Sequence, residues 1–136
     1  MIEAAARRYA DWWQGLTPGR IAELDALVAP SVRFRDPFND VVGIEAMRRV
    51  LEKMFEDVPD AAFTITDVAI GGAVYLRWRF QGGRFAADGV TELAFDAGGR
   101  VVCHVDHWDS GTEVYAKLPL VGVLVRLIRR RLAAAG

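Results

Sequence analysis

The apolar residues of this chain change their spacing near Ala62, and that change constrains the fold more than any other feature. Before it, apolar side chains recur three and four positions apart, as on one face of a helix. Ile2 to Gln14 has this pattern, with Tyr9, Trp12 and Trp13 on one face and Gly15 at its end. A second helix is predicted after Thr17-Pro18, with Thr17 as N-cap, Pro18 in the first turn and Ile21, Leu24, Leu27 and Val28 inward, until Pro30 stops it. A third follows Gly43, running Ile44 to Phe55 with Met47, Leu51, Met54 and Phe55 on its inner side. Between the last two, Ser31 to Asp36 alternates as a short strand with Val32, Phe34 and Asp36 on one face, and Pro37-Phe38-Asn39-Asp40 reads as a loop.

After Ala62 the period is two. Strands are predicted over Phe63 to Ile70, Val74 to Phe80, Val90 to Phe95 and Val101 to Asp109, divided by turns at Gly71-Gly72, Gln81-Gly82-Gly83 and Asp96-Ala97-Gly98-Gly99. Helices first and antiparallel strands afterwards indicate an α+β fold, with the helices packed on the concave face of a curved sheet. Such a sheet leaves a conical cavity between itself and its helices. Phe34, Asp36, Trp78, Phe80, Thr91, His104, Asp106 and Trp108 would converge there, capped by the aromatic residues of the first helix.

With 136 residues, one domain is expected, over residues 1–112. Residues 113–136 form an amphipathic extension, in which Val121 to Leu132 reads as an apolar helix with a basic end. That helix would close the cone, form a dimer contact or lie weakly on a membrane surface. A net charge of -1 gives no indication of nucleic acid as a partner. The lone Cys103 fits a reducing compartment. Arg7, Arg8 and Asp11 interrupt any leader-like apolar run, so a cytoplasmic location is expected.

The chemistry gathers on the last strand. Alternation puts Val102, His104, Asp106 and Trp108 on one face, with Cys103 and His107 on the other. An imidazole and a carboxylate two residues apart can form a proton-transfer pair, or a hydrogen-bonded pair that merely fills the cone. Asp36 has the same two readings: a carboxylate in an apolar cavity that moves a proton, or a cap on the turn that follows it. No metal-ligand spacing is present, and neither a metal nor a cofactor is expected.

The run Ala29-Pro-Ser-Val-Arg-Phe-Arg-Asp36-Pro37-Phe38, followed by Gly43-Ile-Glu-Ala-Met, resembles the nuclear transport factor 2-like superfamily. That cone-shaped α+β group, also described as cystatin-like, includes ketosteroid isomerases and SnoaL-like polyketide cyclases. The resemblance implies that Asp36 sits at the base position of the isomerases, and that Tyr9 falls near their oxyanion tyrosine after an insertion before Ile21. Thr91 stands where those isomerases carry a second acid. The strand His104-Val-Asp106-His-Trp108-Asp109 is similar to that of limonene epoxide hydrolases, whose catalytic aspartate lies near Asp106. The whole pattern looks most like a bacterial SnoaL-like branch. It implies catalytic roles for Asp36, His104, Asp106 and Tyr9. Trp12, Phe34, Phe38, Met54, Phe55, Trp78, Thr91 and Trp108 would hold the ligand. A catalytic and a non-catalytic reading stay open: cofactor-independent proton transfer on a small hydrophobic molecule, or, without turnover, either binding of such a molecule or lipid or service as a dimeric scaffold.

Overall fold

A computed structural model describes residues 1–109, 127, 128 and 130–132. The elements are α1 (Ile2–Gln14), a 3-10 helix (Pro18–Glu23), α2 (Leu24–Leu27), β1 (Val28–Arg35), β2 (Asp40–Val42), α3 (Ile44–Asp57), β3 (Ala62–Ile70), β4 (Val74–Gly82), β5 (Phe85–Phe95) and β6 (Val101–Trp108). The strands form one curved, unclosed sheet in the order β2-β1-β6-β5-β4-β3. The α+β architecture is therefore the one the change of period predicts.

The helices form for the reasons their sequences suggest. Ala5, Ala6, Tyr9, Ala10, Trp12 and Trp13 bury one face of α1, which packs on β3. Met47, Leu51 and Phe55, four residues apart, bury one stripe of α3. Removing such side chains from water contributes about 1.5–3 kcal/mol each. Gly43 enters α3 with φ +100°, a left-handed conformation that glycine adopts without steric cost. Its N–H reaches back to the Val32 carbonyl and ties the helix to β1.

Four predicted features differ. The second helix is a 3-10 helix followed by a single α turn, and the Thr17 side chain makes no capping hydrogen bond. Val28 already belongs to β1, because Leu24, Leu27 and Val28 bury their side chains whichever backbone carries them. The predicted loop at 37–40 is shorter, since Asp40–Val42 pairs with β1, and the Arg33 guanidinium bonds both Asp40 carboxylate oxygens across that pair. Finally, β1 runs parallel to β6, so the sheet is not wholly antiparallel.

Besides a register shift between Val28 and Arg33 where β1 meets β6, two irregularities adjust which side chains face inward. Between β5 and β6 the pairing shifts from Ala94↔Cys103 to Phe95↔Val101, leaving Val102 unpaired. That bulge buries Val101, which strict alternation would place on the face opposite His104. Between β3 and β4 a similar shift occurs at Thr66. Residues 127, 128 and 130–132 are helical, and Leu127, Ile128 and Leu132 are exposed. The rest of the predicted terminal helix and extension, at 113–126 and beyond Leu132, lies outside the described residues. Among those described, no helix is long and apolar enough to cross a membrane.

Candidate functional site

Strand register assembles the polar centre. Thr91 on β5 stands opposite Asp106 on β6, and Leu93 stands opposite His104. On β4, Leu76 faces Thr91 and Trp78 faces Gly89. On the other side of β6, Phe34 of β1 pairs with His104, so Asp36 and Asp106 each stand two residues further along neighbouring strands.

A continuous hydrogen-bonded chain crosses the sheet. Trp78 Nε1–H donates to Thr91 Oγ1 over 2.8 Å. With its oxygen so engaged, the Thr91 hydroxyl donates to Asp106 Oδ1 at 2.5 Å. His104 Nε2 lies 2.8 Å from the same Oδ1, and His104 Nδ1 lies 2.8 Å from the Tyr9 hydroxyl. An ionised carboxylate only accepts, so Nε2 carries a proton and a neutral His104 accepts the Tyr9 proton at Nδ1. Tyr9, His104 and Thr91 are 1%, 2% and 3% exposed, whereas the Asp106 side chain keeps 14%. The two arms of the chain therefore begin in the core and meet at a carboxylate within reach of a ligand.

Burial pushes the Tyr9 phenol well above its ordinary range, and the negative charge of Asp106 adds to this. The Trp13 indole N–H pulls the other way, although it is buried with no partner in good hydrogen-bonding geometry. The rings of Phe34 and Trp13 lie 4.8 and 5.3 Å from the His104 ring and enclose it. Among the described residues, both side-chain hydrogen bonds of Asp106 fall on Oδ1 and Oδ2 has none.

Asp106 opens onto a cavity of about 470 Å³, a size suited to a small organic molecule. Its walls are largely aromatic: Trp13, Phe34, Phe63, Trp78, Phe80 and Trp108. Asp36 lines it too, so the two carboxylates share one hollow. A second void of about 10 Å³ lies behind the first, bounded by Trp13, Thr91, His104 and Asp106. That is room for about one water molecule.

The predicted residues divide accordingly. Phe34, Phe38, Met54, Trp78 and Trp108 line the cavity, with Phe38 half exposed at its edge and 5.7 Å from the Trp108 ring. Thr91 lies one layer beneath, bordering the small void. Trp12 does not line the cavity: it is buried in the core and donates to the Arg20 carbonyl, and its neighbour Trp13 takes the wall position. Phe55 faces a separate groove with Pro18 and Ile21, because it continues the buried stripe of α3 rather than the Val50 and Met54 side. Asp36 also forms the turn after β1. Its Oδ1 accepts from the Phe38 and Asn39 amides at 2.8 and 2.7 Å, and from the Asn39 side chain at 3.0 Å.

Sequence reasoning did not single out Phe63, Asn39, Lys53 or Asp57, which also line the cavity. Lys53 and Asp57 are four residues apart on α3, beside Val50 and Met54, and that spacing was the available signal. Cys103 is half-buried and His107 exposed, and neither lines this cavity. Among the described residues, no three His, Cys, Asp or Glu side chains converge to hold a metal ion.

The family model for the SnoaL-like domain matches residues 6–104. A search of curated proteins finds no match. Among solved structures, this chain is similar to a candidate ketosteroid isomerase from Kribbella flavida DSM 17836, at 24% identity and TM-score 0.64, covering 99% of this chain and 89% of that one. It is also similar to a candidate SnoaL-like polyketide cyclase from Jannaschia sp. CCS1, at 17% identity and TM-score 0.68, covering 98% and 93%. A third is a hypothetical protein with a ketosteroid isomerase-like fold from Catenulispora acidiphila DSM 44928, in complex with trimethylamine, at 22% identity and TM-score 0.68, covering 87% and 93%.

Proposed function

We propose, on the premise that this chain belongs to the SnoaL-like family, that it catalyses cofactor-independent proton transfer on a small, largely apolar molecule. The observation that carries this reading is the buried line of Tyr9, His104 and Asp106, which ends on an aromatic cavity. Two donors fix Asp106 Oδ1, and Oδ2 is left to take a proton from a carbon next to a carbonyl. The electron pair of that C–H bond moves toward the carbonyl oxygen. Asp106 then returns the proton at the same or another carbon, with Asp36 as the second carboxylate in reach of the hollow. Tyr9 and His104 act through Asp106: they hold its orientation and stabilise its charge. Isomerase and cyclase chemistry, the types named for two structural relatives, both begin with such a step. The relative complexed with trimethylamine adds small organic bases to the compounds worth testing.

Solvent deuterium exchange tests this reading. A panel of apolar, enolisable ketones is incubated with the protein in D₂O, and label at carbon is read by mass spectrometry. Exchange is expected with at least one ketone, falling by at least about 100-fold in Asp106→Asn. Equal exchange in that variant would remove Asp106 from the chemistry. Binding without exchange across the panel would favour a second reading, a non-catalytic carrier. The engagement of Asp36 Oδ1 in its own turn favours that second reading, since it leaves less of Asp36 for chemistry.

A further inference from the structure

Among the described residues, the charges that line the cavity do not balance. Of the described side chains that line it, Lys53 is the cation, and it is already committed: its ammonium bonds both Asp57 carboxylate oxygens, at 2.9 and 3.0 Å. That pair is neutral as a unit. Asp36 and Asp106 remain, and their hydrogen-bond partners are backbone amides, the Asn39 amide, the Thr91 hydroxyl and the His104 imidazole. Among the described residues, no lysine or arginine forms an ion pair with either carboxylate.

Hydrogen bonds offset part of the cost of holding two carboxylates beside apolar walls, and a counter-charge on a ligand would offset more. Here the walls themselves suit a cation. The Phe38 and Trp108 rings, 5.7 Å apart, line the cavity together with Asp36. The Phe63 and Trp78 rings, 5.6 Å apart, line it together with Asp106. Aromatic faces attract an organic cation and accommodate its carbon substituents, and an anion gains nothing from them.

We infer that the cavity selects a hydrophobic cation: a protonated or quaternary amine whose charge sits between the carboxylates and whose carbon body lies against the indoles. This rests on the reading of the hollow as a ligand site, and it narrows the ligand from apolar molecules in general to those that also carry a protonated or quaternary amine.

Three probes of similar size separate the possibilities, with binding read by quenching of tryptophan fluorescence at neutral pH and low salt. They are benzyltrimethylammonium, its neutral isostere neopentylbenzene, and the anion phenylacetate. The ammonium is expected to bind about tenfold more tightly than the neutral isostere, and the anion more weakly than either. Asp36→Asn and Asp106→Asn should each reduce the preference for the ammonium while leaving neopentylbenzene binding in place. Equal or tighter binding of neopentylbenzene to the wild-type protein would overturn the selection of a cation and leave the ligand site standing. Failure of all three to bind would overturn both.

Discussion

Replacing Gly89 with alanine adds one methyl group, and the structure says where it would go. The new Cβ would lie 2.4 and 2.5 Å from Cζ2 and Cη2 of Trp78, and 2.9 Å from the His107 carbonyl oxygen. Gly89 does not have a positive φ, so alanine suffers no backbone strain there and would by itself favour the strand by about 0.5–1 kcal/mol. Sterics decide the sign. The carbonyl belongs to the β5–β6 pair and cannot yield cheaply, so the indole must move. Overpacking of this kind costs about 1–3 kcal/mol. Moving the indole also breaks the buried Trp78 to Thr91 hydrogen bond, at a further cost of about 1 kcal/mol. The net expectation is a loss of about 2 kcal/mol, measured by urea unfolding and accompanied by a change in tryptophan emission. Trp78→Phe removes the two clashing carbons and leaves only the contact with the His107 carbonyl, so in that background Gly89→Ala should cost about 1 kcal/mol less than in the wild type. An equal cost in both backgrounds, or a wild-type midpoint for Gly89→Ala alone, would refute the account of why a glycine sits there.

Other consequences follow from the same hydrogen-bonded chain. Thr91→Val leaves the Trp78 N–H buried without an acceptor and takes a donor from Asp106, so urea unfolding should show a loss of about 1–3 kcal/mol, which Thr91→Ser restores. Burial keeps the Tyr9 proton on in the folded protein, while in the unfolded chain the phenol ionises near pH 10. The corresponding stability is fully present below that pH and is lost above it, by about 1.4 kcal/mol between pH 9 and 11. Tyr9→Phe lacks this term, so the stability gap between wild type and variant should narrow over that range; a constant gap would contradict the burial argument.

Much of the centre was legible because period-two alternation fixes faces without knowledge of the pairing. Trp78, Thr91, His104 and Asp106 could be assigned to one side of their strands in this way. What alternation cannot supply is the partner. The bond from Tyr9 to His104 joins residues 95 positions apart, and it depends on how α1 lies across the sheet. The parallel pairing of β1 with β6 was equally hidden, since nothing in either strand marks the direction of its neighbour. β2 escaped notice because three residues carry no period, and its pairing leans on Arg33 and Asp40. The predicted strand began only at Val90, whereas β5 begins at Phe85, because Ala86, Ala87, Asp88 and Gly89 have poor strand propensity. There the glycine answers to the indole across the ladder, a tertiary demand that overrides local preference.

The order of strands in space also has a consequence for biosynthesis. Among the described strands of the sheet β6 is the last to be synthesised, yet it stands between β1 and β5. Until it emerges, the nascent chain can form only two separate ribbons, β2 with β1 and β3 with β4 and β5, each presenting an open edge. Such edges recruit other chains. A translational stall or truncation before Val101 should therefore yield an aggregation-prone polypeptide rather than a smaller stable domain, and the segment that completes the sheet is the one that delivers His104 and Asp106.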